Sequence, residues 1–176
     1  MSTTNWTDVR KQAATARNAI AKQAVMKVPG FLKQHKIITS AQHAQLIATL
    51  DDGSLHKSGY DVLLDEPVNG ARGVVAEVKS NNPYYPTRFG SGQKEHIVED
   101  LDALTGVVPA KGGIRIDDFY KFLVLLDDGS GRVEDAADKL VKSYRRKIGQ
   151  LGVKAADVVL WGTKALNNRD VFVVVL

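Results

Sequence analysis

Two acids and an amine are the residues of this chain best suited to joint chemistry. Asp61 precedes the triplet Glu77-Val78-Lys79 by sixteen residues (77 − 61 = 16). Side chains alternate along an extended strand, so Glu77 and Lys79 point to one face and Val78 to the other. If the chain reverses direction between Asp61 and Glu77, that face comes to lie beside Asp61. Two carboxylates brought together repel and raise each other's pKa unless a cation sits between them. A hard divalent ion meets that need, and magnesium best, because it keeps several waters and takes only one or two protein carboxylates plus a phosphate oxygen. Val78 can add its backbone carbonyl. Such an ion polarises a phosphate and acidifies a bound water, while Lys79 positions that water or stabilises the developing charge. The reaction implied is hydrolysis of a phosphodiester. The plain structural alternative makes Glu77 and Lys79 a surface pair on an edge strand, worth little to stability.

The elements needed to bring these residues together are legible around them. Tyr60 to Leu64 and Gly73 to Lys79 read as the limbs of a hairpin, with Pro67 and Asn69-Gly70 between them. A loop rich in Asn, Pro and Tyr follows from Ser80 to Gly90. A helix then begins at about Gly92, with Gln93, Ile97, Leu101 and Leu104 on one face. Phe119 to Leu126 reads as a fully buried strand closed by Asp127-Asp128-Gly129-Ser130-Gly131. Val133, Ala136, Leu140, Val141, Tyr144 and Ile148 mark another amphipathic helix. Val158 to Trp161 and Val171 to Val175 finish as strands around the polar Asn167-Asn168 turn. Upstream, Trp6, Val9, Ala13, Ala16, Ile20 and Ala24 predict an amphipathic helix ended by Pro29-Gly30. Thr39-Ser40-Ala41-Gln42 looks like a capping box opening a short helix through Ala44, Ile47 and Leu50 to Asp51-Asp52-Gly53. That helical pair suits either a helix-turn-helix reader of DNA or, more commonly, packing on a sheet. A strand-helix-strand unit after a hairpin calls for a crossover connection, so the expected fold class is α/β with a mixed sheet flanked by helices.

Asp61 followed by Glu77-Val78-Lys79 resembles the PD-(D/E)XK nuclease superfamily, which includes many type II restriction endonucleases, junction resolvases and repair nucleases. Tyr60 stands where the motif's name has proline. The resemblance covers Asp61 to about Leu126. It implies a restriction-endonuclease-like core and magnesium-dependent hydrolysis of double-stranded DNA, with manganese as a substitute ion. It also implies a further residue on the helix after the hairpin, for which Gln93 matches in placement and Lys94 more weakly. Many members contribute an acid from the first helix. Here no glutamate precedes Glu66, which leaves that ligand missing or replaced by Asp51 or Asp52. Cutting both strands of a duplex needs two sites, so a homodimer is expected. The loop after Lys79 adds DNA-contact candidates in Asn81, Asn82, Tyr84 and Arg88, with Lys94 beside them, although an aromatic loop of this kind equally suits packing.

Composition sets the remaining bounds. At 176 residues, one domain spanning 1–176 is expected, with an N-terminal helical segment over about 1–52. The absence of cysteine excludes disulfides, thiolate nucleophiles and cysteine-ligated zinc or iron-sulfur sites. His35, His43, His56 and His96 have no metal-ligand spacing, and only His56 lies close enough to Asp61 to suggest a base. No P-loop lysine pattern and no serine nucleophile elbow occurs. No apolar run approaches the ~18 residues of a membrane span, and the polar start predicts a cytoplasmic protein. The net charge of +4 and pI near 9.2 lean towards a polyanionic partner. The charges gather at Arg10, Lys11, Arg17, Lys22, Lys27, Lys33 and Lys36, and again at Lys142, Arg145, Arg146 and Lys147, faces that are either solvated or pressed against phosphate. Two competing readings share the motif: a nucleic-acid-binding protein that keeps the fold without turnover, and a resolvase or repair nuclease that reads DNA shape.

Overall fold

A computed structural model describes residue 15 and residues 19–52, 59–80, 83, 85, 87–127 and 129–176. Among the described residues the elements follow one another as α1 (Lys27–Gln34), α2 (Ser40–Asp52), β1 (Val62–Leu64), β2 (Gly73–Lys79), α3 (Ser91–Thr105), a 3-10 turn (Lys111–Gly113), β3 (Phe119–Leu125), α4 (Arg132–Leu151), β4 (Val158–Leu160) and β5 (Val171–Val175). Residues 19–25 are helical as well. The strands form one sheet in the order β1-β2-β3-β5-β4. β1 runs antiparallel to β2, and every other neighbouring pair is parallel. The fold is therefore α/β with a mixed five-stranded sheet, as the order of hydrophobic periods predicts.

Alternation along β2 and β3 divides the interior into two layers. Val75, Phe119, Leu123 and Leu125 face α3 and α4, meeting Ile97, Leu101, Leu104, Leu140 and Tyr144. Val74, Ala76, Phe122 and Val124 face α1 and α2, meeting Val28, Phe31, Leu32, Leu46 and Leu50. The apolar residues of α1 and α2 are thus spent on the sheet, whereas Trp6, Val9, Ala13 and Ala16 of the predicted first helix lie outside the described residues. Helices cover both faces, which is why β3 and β5 are apolar at nearly every position.

Two details decide how the hairpin is built. Val68 and Ala71 exchange backbone hydrogen bonds of 3.0 and 3.3 Å across Asn69-Gly70, giving a two-residue turn. Gly73 then opens β2 where a Cβ would lie 2.2 Å from the Leu64 carbonyl oxygen and 2.6 Å from the Phe119 ring, so only glycine allows the strands this close. At the helical end of the chain one expectation is corrected. Pro29-Gly30 does not end a helix; both lie inside α1, and the break comes at Met26. Pro29 is the third residue of α1, among the first four whose N–H groups have no intrahelical acceptor, so its missing donor costs nothing there. The predicted capping box does form, with Thr39 N–H donating to Gln42 Oε1 at 3.0 Å and Gln42 N–H to Thr39 Oγ1 at 3.2 Å. Tyr60 and Asp61 precede β1 instead of lying in it. Among the described residues no helix is long and apolar enough to cross a membrane.

Candidate active site

The antiparallel ladder between β1 and β2 stops at the pair Val62 and Ala76, so nothing in β1 accepts the Val78 N–H on that side. Asp61 supplies the acceptor: its Oδ2 takes the Val78 N–H at 2.8 Å. That bond joins the two halves of the sequence motif, because the backbone group it uses lies between Glu77 and Lys79. Val78 enters the site through its backbone, while its side chain packs on the opposite face of the sheet.

Glu77 and Lys79 both project towards α3, as strand alternation requires. Glu77 is 3% exposed, and its Oε1 accepts a hydrogen bond of 2.6 Å from the Lys111 ammonium. Lys111 also donates to Asp100 Oδ1 at 2.6 Å, and Lys79 forms an ion pair with Asp100 Oδ2. Asp100 comes from the buried face of α3. Lys111 is fixed at its own backbone as well, its N–H donating to the Tyr60 hydroxyl at 3.1 Å and its ammonium lying 5.9 Å from the Tyr60 ring centroid. The site is a compact group of three carboxylates (Asp61, Glu77, Asp100) and two ammonium groups (Lys79, Lys111), closed on one side by Tyr60.

Its electrostatics follow from that count. Burial pushes the Glu77 carboxyl up to about 8, the Lys111 hydrogen bond opposes the rise, and the charges of Asp100 and Asp61 add to it. Burial works against the Lys111 cation too, but its bonds to Asp100 and Glu77 outweigh that and leave its pKa raised. Glu77 is therefore a carboxyl poised to hold its proton at neutral pH unless more positive charge arrives.

A hard divalent cation suits this chemistry. The donors are all oxygen, two of the three acids are buried, and Glu77 lacks enough positive charge to stay ionised. Asp61 and Glu77 are the residues that would hold it. Among the described residues no three acids or histidines form a ready metal-binding group, and the Lys111 ammonium sits between Glu77 and Asp100, so Asp100 joins the ligand set only if Lys111 moves.

The other sequence candidates divide. Gln93 caps its own helix, with its amide oxygen accepting the Gly90 N–H at 3.0 Å, the ordinary task of a first helical turn. Arg88 lies 4.4 Å from the centroid of the Tyr85 ring, and Lys94 donates to Ser143 Oγ at 2.7 Å. Arg88 and Lys94 line one groove of about 360 Å³ between the loop and α4, together with Lys139. Asn81, Asn82 and Tyr84 lie outside the described residues, as does His56. Asp51, weighed as a replacement acid, pairs instead with Lys22 at 2.8 Å on the surface, and Asp52 closes α2.

Sequence reasoning missed Asp100 and Lys111. Asp100 had a signal: it interrupts the apolar stripe at three residues after Ile97 and four before Leu104, where an acid must find a partner once buried. Lys111 had none, since it lies in a loop without periodicity. No family model, no curated protein and no solved structure matches this chain.

Proposed function

We propose that this chain is a magnesium-dependent DNA endonuclease of the PD-(D/E)XK kind, built on a restriction-endonuclease-like core and acting on double-stranded DNA as a homodimer. The observation that carries the reading is the 2.8 Å bond from the Val78 N–H to the Asp61 carboxylate, which brings Asp61 against the Glu77-Val78-Lys79 strand end. The hairpin, helix and strand order from β1 to β3 and the basic net charge of +4 support it further.

When bound, the magnesium ion, or manganese in its place, polarises the phosphate and acidifies a water. The rest falls to the chain. Asp61, anchored by the backbone of β2, and Glu77, buried at the end of that strand, hold the cation. Lys79 keeps its ammonium in place through Asp100 and is the donor closest in sequence to the ligating strand end, suited to the attacking water or to the charge growing on phosphate. Tyr60 and Lys111 shield the inner side of Glu77 from solvent.

One observation favours a second reading. Lys111 already supplies a cation to Glu77 and Asp100, which is what a nuclease fold that binds nucleic acid without turnover would use to neutralise its acids. Supercoiled plasmid incubated with the protein and magnesium separates the two. The endonuclease reading expects nicked and linear products that disappear in Glu77→Ala and Lys79→Ala. Cleavage that survives both substitutions would discredit the site, and duplex binding without any cleavage by the wild type would establish the second reading.

A further inference from the structure

On the same face of the sheet as Glu77, but towards the N-terminal ends of the parallel strands, lies a cavity of about 780 Å³. It falls within the ~300–1,000 Å³ of sites that hold small ligands. Its floor comes from the end of α3, from the loop after it and from the approaches to β4 and β5, with Leu104, Val108 and Ile116 among the apolar residues.

Lys121 lines this cavity and is 4% exposed, and among the described residues it is the only buried lysine or arginine. Every other buried charged residue has an ion-pair partner: Glu77 and Asp100 share Lys111, and Asp170 takes Lys164. Lys121 has none among the described residues. Its ammonium meets two backbone carbonyls, those of Asn168 and, at 3.5 Å, Asp117, which leaves one of its three donors without a partner among the described residues. Burial draws its pKa down, against the longer-range pull of Asp117, Asp170 and Asp118. A buried ammonium without a counter-charge is costly, and such a group persists where something else answers it.

The charges around it are unbalanced in the same sense. Each carboxylate of the lining is already engaged: Asp117 with Arg115, Asp157 with both nitrogens of the Arg145 fork at 2.9 Å, and Asp170 with Lys164 and Asn167. Lys154 and Arg169 are exposed at the rim, and neither forms an ion pair among the described residues. One buried and two rim cations therefore face an apolar floor, and none of the three forms an ion pair among the described residues, Asp117, Asp170 and Asp118 reaching Lys121 only at longer range.

We propose that this cavity binds a small phosphomonoester whose organic part is apolar or planar, with Lys121 holding the phosphate from within, Lys154 and Arg169 closing on it from the rim, and the organic part resting on Leu104, Val108 and Ile116. Three cations suit a dianion better than a singly charged carboxylate. The site is separate from the Glu77 group and stands or falls independently of the nuclease reading.

Calorimetric titration of the full chain with adenosine 5′-monophosphate, inorganic phosphate and adenosine, in metal-free buffer, tests it. The nucleotide should bind, adenosine should not, and Lys121→Met should weaken the nucleotide by about tenfold or more, the usual worth of a charged hydrogen bond. Because Lys121 is buried, the exposed pair Lys154→Ala with Arg169→Ala provides the second arm and should weaken binding severalfold in a chain that still unfolds cooperatively. No heat with either phosphate at millimolar concentration, or nucleotide affinity unchanged in the Lys154 and Arg169 double variant, would overturn the assignment.

Discussion

Replacing Glu77 by glutamine preserves the size of the side chain and removes its proton equilibrium, and the consequence for stability can be worked out from the site. Glu77 has its pKa raised from 4.5 to about 8, chiefly by burial, with Asp100 and Asp61 adding to the rise and Lys111 resisting it. The folded chain therefore holds this proton more tightly than the unfolded chain does. Below pH 4.5 both states carry the proton and the group contributes no pH dependence. Between 4.5 and about 8 the unfolded chain releases it first, so stability falls as pH rises; above about 8 the loss is complete. The difference in pKa is about 3.5 (8 − 4.5), which at about 1.36 kcal/mol per unit gives a ceiling near 5 kcal/mol. Relaxation and water entry around the new charge reduce that, and a loss of about 2–4 kcal/mol is expected. Denaturant unfolding of wild type and Glu77→Gln from pH 5 to 9 measures it. The stability of the variant relative to wild type should climb from pH 5 to about 8 and level off above it, whatever constant offset the loss of the Lys111 bond introduces. Magnesium at pH 8 to 9 should restore wild-type stability and leave the variant unmoved, because only an ionised Glu77 rewards the cation. A pH-independent difference between the two proteins would refute the electrostatic account of the site, and a magnesium effect of equal size in both would refute Glu77 as its ligand.

Other consequences can be checked separately. Lys111→Met removes the internal cation from between Glu77 and Asp100; it should cost about 1–3 kcal/mol of stability in metal-free buffer, less than for a fully buried pair because the side chain is 32% exposed, and should tighten manganese binding measured by electron paramagnetic resonance. Gln93→Ala should lower thermal stability by about 1 kcal/mol through the lost cap while plasmid cleavage keeps its wild-type rate, and a cleavage defect beyond the stability loss would give Gln93 the catalytic role that the resemblance implies. Gly73→Ala should destabilise the chain by about 3 kcal/mol or more, read by denaturant unfolding, since the new Cβ meets the Leu64 carbonyl at 2.2 Å with backbone on one side and the Phe119 ring on the other.

Much of the architecture was legible before any coordinates because it depends on period. The apolar limb from Gly73, the largely apolar run from Phe119 and the 3.6-residue stripes of α3 and α4 are local patterns that mark buried strands and the buried faces of helices. The pairing of Glu77 with Lys79 on one face, and the placing of Asp61 beside them by the Asn69-Gly70 turn, follow from the same local rules. What misled was punctuation. Pro29-Gly30 reads as a stop, yet it is compatible with the first turn of a helix that starts later than the apolar stripe implies, and only the packing of Val28, Phe31 and Leu32 on the sheet decides where that start falls.

From the sequence alone came an α/β chain with a mixed sheet, and the strand end where two acids and a lysine meet, because strand alternation and a tight turn are fixed by neighbouring residues. Tertiary structure alone decided who completes that site. Asp100 reaches it from a helix and Lys111 from a loop, separated from Glu77 by 23 and 34 residues (100 − 77, 111 − 77), and no local pattern records how a crossover helix settles on a sheet. The strand order β1-β2-β3-β5-β4 and the isolation of Lys121 at the other end of the same face were likewise decided by long-range packing, which sets the burial and hence the charge balance of both groups.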